Sequence, residues 1–128
     1  MQQTAISIYL GYTFAKEDRA AARALLARFG LEGKLIHTAK GELLAELFRV
    51  RMCTLESEQV TAAFLAQAQP CLAALNALAE ADGGEFSVEI VPEIVGQNKP
   101  SLTLGRRFLD FIGGLERLSF VDIDGYLY

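Results

Sequence analysis

Between Thr4 and Thr13 the chain alternates. Ile6, Ile8, Leu10 and Tyr12 take one side and Ala5, Ser7, Tyr9 and Gly11 the other, a period of two that predicts a half-buried strand. From Lys16 to Phe29 the period lengthens: Ala21, Leu25 and Phe29 fall four apart with Leu26 beside them, which predicts a helix. Glu17 and Asp18 sit in its first turn, where the helix dipole favours acids, and Gly30 stops it. Lys34 to Thr38 reads as a short edge strand. Within Glu42 to Thr54, Leu43 to Phe48 fits either element, but Phe48, Val50 and Met52 alternate with Arg49, Arg51 and Cys53. A strand ending near Thr54 is predicted there, joined to the preceding one as a hairpin.

Ser57 is the expected N-cap of the next helix, with Glu58 just inside it. Helical spacing then runs through Val60, Phe64, Cys71, Leu75 and Leu78 to Asp82-Gly83-Gly84. Pro70 lacks an amide donor, so this run must kink or divide, with Gln69 the last regular residue of its first part. Phe86, Val88 and Ile90 alternate with Ser87 and Glu89, a strand that Pro92 is expected to end. Val95 to Ser101 reads as a loop. Leu104, Phe108, Phe111, Ile112 and Leu115 share one face of a helix, and Leu118 to Asp124 forms a last strand before the tail Tyr126-Leu127-Tyr128.

The resulting order predicts a single α+β domain over residues 1–128. It is an antiparallel sheet with helices on one face, in ferredoxin-like βαββαβ order, with a C-terminal helix and strand added. In that order the first strand lies between the third and fourth. The length of 128 residues suits one domain, and 52% hydrophobic with 22% charged residues is a globular balance.

The net charge of -4, with basic residues scattered except at Arg49/Arg51 and Arg106/Arg107, argues against a nucleic-acid partner. The N-terminal apolar stretch has neither a basic lead-in nor a cleavage pattern, and no run supplies the ~18 apolar residues of a membrane span. A cytoplasmic location is expected, with no membrane partner. Cys53 and Cys71 form no CxxC pair and there is one histidine, so no metal site is expected, and both thiols are read as buried and reduced.

No catalytic constellation emerges, and the expectation is that the chain is not an enzyme and needs no cofactor. His37 has only Thr38 as a polar neighbour in sequence, which reads as structural rather than as a general base. Asp122 and Asp124 are two apart on one strand and should share a face, but a lone carboxylate pair holds a divalent ion weakly. The glycines match no phosphate-binding loop.

Two candidate contact surfaces remain. One is the sheet face away from the helices, carrying Tyr9, Arg49, Arg51, Ser87 and Glu89, in which tyrosine and arginine are types enriched at binding hot spots. A plain solvated sheet face accounts for the same polarity, and the C-terminal helix is a possible cover for it. The other is the tail, where Tyr126 and Tyr128 accompany Asp122 and Asp124; packing of Tyr126 onto the core is the competing reading.

The closing segment LTLGRRFLDFIGGLERLSFVDIDGYLY resembles the helix–strand ending of small bacterial proteins, some of which are thought to be immunity proteins. The resemblance implies a protein-binding module that neutralises a toxin by occluding it. Asp122 and Asp124 would then meet basic groups on the toxin. Two other expectations stand beside it. One is a small-ligand binder or enzyme of ferredoxin-like type, using His37 or Arg49 and Arg51 in a cleft between sheet and helices. The other is a self-associating subunit, a homodimer built through an edge strand such as Lys34 to Thr38.

Overall fold

A computed structural model describes residues 3–128; Met1 and Gln2, the start of the N-terminal stretch read above for a leader, lie outside the described residues. The architecture is mixed α+β. Strand β1 (Ala5–Thr13) is followed by α1 (Arg19–Arg28), β2 (Lys34–His37) and β3 (Leu43–Met52). Then come α2 (Ser57–Ala68), a 3-10 turn (Gln69–Cys71), α3 (Leu72–Asp82) and β4 (Glu85–Ile94). Helix α4 (Arg106–Gly113), β5 (Leu118–Ile123) and β6 (Tyr126–Leu127) complete the chain.

The strands form one open sheet in the order β2-β3-β1-β4-β5, with β6 also against β4. Strand β1 therefore lies between β3 and β4. The expectation of an antiparallel sheet needs correcting at one side, because β5 and β6 both run parallel to β4. A strand that returns through the helix α4 enters the sheet in the same direction as the strand it left, as crossover connections do.

The strand's inner side follows its alternation. Ile6, Ile8, Leu10 and Tyr12 are at most 1% exposed, packed in one core with Phe64, Leu75, Leu78, Phe86, Val88, Ile90, Phe108 and Phe111. Burying side chains of this size stabilises by about 1.5–3 kcal/mol each. Helix α4 joins the same layer: Phe64 of α2 meets the rings of Phe108 and Phe111 edge-on at 5.9 and 5.8 Å. It does not cover the far face of the sheet.

Local corrections have local causes. Helix α1 begins at Arg19 because the Asp18 carboxylate accepts the Ala21 amide at 3.1 Å, acting as the cap rather than as a first-turn residue. Its buried residues are Ala22 and Leu26; of the expected face Leu25 and Phe29 pack half-buried against the core, and Ala21 is exposed. Ser57 is the first residue of α2, not its cap; its hydroxyl accepts the Thr103 amide at 2.8 Å and donates to the Thr103 carbonyl at 3.0 Å, tying the loop before α4 to the helix. Pro70 divides the long helical run as predicted, although α2 ends one residue earlier, at Ala68.

Strand β4 passes through Pro92 and continues to Ile94. The carbonyls of Ile90 and Ile94 accept the amides of Asp124 and Tyr128, so these alternate residues turn their polar groups toward β5 and β6. Pro92 has the same orientation, and opposite it the outer ladder is already broken between Ile123 and Tyr126, with Gly125 against its ring. The missing donor costs the central β1–β4 ladder nothing.

The run Ser57–Asp82 is long and apolar enough, by length and composition alone, to cross a membrane, at mean hydropathy 1.3. Its 3-10 break and the burial of Phe64, Leu75 and Leu78 against the sheet describe equally a core helix pair.

Candidate functional site

Register places the far face of the sheet residue by residue. Tyr9 of β1 stands between Arg49 of β3 and Glu89 of β4, and Glu89 in turn neighbours Asp122 of β5. One step along, Gly11 stands between Glu46 and Ser87, with Phe120 beyond. One step the other way, Ser7 stands between Arg51 and Val91. At the end of the row Ala5 neighbours Glu93, which neighbours Tyr126 of β6. Because paired residues share a face, the two surfaces predicted separately are one continuous surface.

That surface is basic toward β3, apart from Glu46 beside Gly11, and acidic toward β4 and β5. Arg49 and Arg51 line its β3 side, while Glu85, Glu89 and Asp122 stand exposed on its β4 and β5 side. The Arg49 guanidinium lies 5.0 Å over the Tyr9 ring, a cation–π contact. Arg51 and Glu93 form the one ion pair among the described residues, at 2.7 Å, which supports the charged form of Arg51. Phe120 and Tyr126 are 46% and 50% exposed, leaving apolar area beside the acids.

Between Leu10 and Gly11 the β1–β3 register shifts. This irregularity and the absent side chain of Gly11 leave a notch of about 210 Å³, lined by Tyr9, Gly11, Leu44, Glu46, Ser87 and Glu89. A Cβ on Gly11 would lie 3.2 Å from Leu44 Cδ1 and 3.3 Å from Ser87 Oγ. Glu46 and this notch were missed from sequence, because the irregular register that brings Glu46 beside Gly11 has no local sequence signature.

Asp124 is outside β5, which ends at Ile123, so the two aspartates do not share one strand; the Asp124 amide donates to the Ile90 carbonyl at 3.0 Å. The tail is not a free appendage. Tyr126 and Leu127 form β6, and the Tyr128 amide donates to the Ile94 carbonyl at 2.8 Å, while the Tyr128 side chain stays exposed. Tyr126 is half-exposed and does not pack into the core.

His37 lies at the exposed end of β2, with Nδ1 3.2 Å from an Arg19 guanidinium nitrogen. Arg49 and Arg51 stand on the sheet face away from the helices, and the hydrophobic core lies between helices and sheet. Strand β2 is one edge of the sheet and β5 the other. Cys53 is exposed, which corrects its assignment to the core; Cys71 is half-buried against the core, and its thiol donates to the Gln67 carbonyl at 3.7 Å. Among the described residues no three His, Cys, Asp or Glu side chains converge as a metal site would require.

A second polar cluster lies where β1, α3 and β4 meet. The buried Tyr12 hydroxyl donates to Asp82 Oδ2 at 2.6 Å and accepts the Gly84 amide at 2.8 Å. Asp82 also accepts the Ala15 amide at 2.9 Å, and Arg117 donates to the Gly83 and Gly84 carbonyls. Burial, reinforced by the Asp82 carboxylate, pushes the Tyr12 phenol well above its ordinary value. This arrangement fixes the α3–β4 turn.

No family model, curated protein or solved structure matches this chain.

Proposed function

We propose that this chain is a protein-binding module acting in the cytoplasm without a cofactor, and that the uncovered sheet face is what it presents. The observation that carries the proposal is the merging of Tyr9, Arg49, Glu89, Asp122 and Tyr126 into one exposed, charge-divided surface. Exposed aromatic area beside unpaired acids suits a protein partner with basic and apolar groups, with the charges raising the association rate. The resemblance of the closing segment to immunity-type proteins supports reading that partner as a toxin, neutralised by occlusion. In this reading β1 to β4, with β1 between β3 and β4, form a ferredoxin-like unit that α4, β5 and β6 extend.

A photo-crosslinking amino acid placed at Phe120 or Tyr126, and separately at Leu109 on the exposed side of α4, tests this in the source cell. Adducts with one defined protein from the sheet positions and none from Leu109 are expected. Loss of those adducts in Glu89→Lys/Asp122→Lys would place the contact on the acidic half. Adducts from Leu109 alone would reject the sheet face as the binding surface.

A further inference from the structure

We propose that the notch at Gly11 is a seat for a cationic side chain, arginine or lysine, presented by the protein partner. The proposal rests on the reading of the sheet face as a protein-binding surface and names the chemistry that the face would recognise.

Three features converge on Gly11. The cavity of about 210 Å³ exists because β1 has no side chain there, and a single Cβ would already press on Leu44 and Ser87. Its rim carries two carboxylates from opposite neighbours of β1, Glu46 on β3 and Glu89 on β4, and neither takes part in an ion pair. Its wall is the Tyr9 ring, which already holds one guanidinium, that of Arg49, at 5.0 Å. The Tyr9 ring, the Ser87 hydroxyl and two carboxylates, Glu46 with Lys34 opposite it on β2 and Glu89 with no cation among its strand partners, together offer a cation a π surface and charge-assisted acceptors. The Leu44 side chain gives the aliphatic stem of such a residue an apolar contact. An anion in the notch would meet the like charge of Glu46 and Glu89, since the cations Arg49 and Lys34 lie outside its lining.

The test uses the intact chain and defined probes. Blocked arginine and blocked lysine (Nα-acetyl, N-methylamide) and the blocked glutamate analogue are titrated while backbone amide NMR shifts are followed. Saturable shifts centred on Tyr9, Gly11, Ser87 and Glu89 are expected with the two cationic probes and not with glutamate. Glu46→Gln/Glu89→Gln should weaken the midpoint roughly tenfold, from the loss of charge-assisted bonds. Gly11→Ala fills the notch and should do the same, with dispersed spectra verifying that both variants fold. Absence of saturable shifts, equal response to the glutamate probe, or an unchanged midpoint in Glu46→Gln/Glu89→Gln would overturn the notch. Crosslinking from Phe120 and Tyr126 is a separate readout, so adducts that survive such a failure leave the broader reading standing.

Discussion

Arg51 reaches from β3 across β1 to Glu93 on β4, and the 2.7 Å pair passes over the stretch of β1 that holds Ala5 and Ser7. It explains why Ser7, on a face that no helix covers, has no exposure at all, while its hydroxyl is the one buried side-chain polar atom without a partner among the described residues. A buried donor with no acceptor lowers stability, and removing it restores what desolvation took.

Ser7→Ala should therefore be neutral or stabilise the fold, by up to about 1 kcal/mol. The measurement is a denaturant midpoint at unchanged slope. A clear loss of stability would mean that the hydroxyl has a partner, such as an ordered water.

The Tyr12 hydroxyl serves both Asp82 and the Gly84 amide. Tyr12→Phe leaves that amide buried and unbonded, and should cost about 1–3 kcal/mol. The pH dependence has a definite sign. The unfolded chain releases the phenol proton near the ordinary value of 10.0, whereas the folded protein retains it to higher pH. Above that value the unfolded state binds fewer protons, so stability falls as pH rises. Comparing wild type with Tyr12→Phe between neutral pH and pH above 10 isolates this contribution, since the variant should lose less stability on the alkaline side.

Two glycines should respond in opposite ways to alanine. A Cβ on Gly84 would run into the Thr13 carbonyl oxygen and the Tyr12 ring, so Gly84→Ala should destabilise by about 1–3 kcal/mol through overpacking. Gly113, in the last turn of α4, has open space around it, and Gly113→Ala should stabilise by about 0.5–1 kcal/mol through helix propensity. Paired thermal melts check both.

Phe111 is 2% exposed and holds α4 against Phe64. Phe111→Ala should cost about 3–5 kcal/mol, and amide exchange should rise first in α4 and β5 if that segment loosens as a unit. Uniform exchange across the sheet would show instead that the C-terminal extension and the rest unfold together.

Much of this molecule was legible in the amino-acid sequence. Alternation located β1 and the core half of β4, helical spacing located α2 to α4, and Pro70 marked the division between α2 and α3, because periodicity and proline geometry act within a few residues. The sheet-face residues Tyr9, Arg49, Arg51 and Glu89 could be chosen from parity alone. What sequence left open depended on contacts between distant segments. Strand β4 survives Pro92 only because its missing donor meets a gap opposite, and Asp124 leaves the strand at that same gap. The union of tail and sheet face comes from β5 and β6 lying parallel beside β4, and the notch comes from a register shift against β3. A residue's period tells which side of its own strand it occupies; which side chains become its neighbours is set by pairing across tens of residues, and that only the folded chain decides.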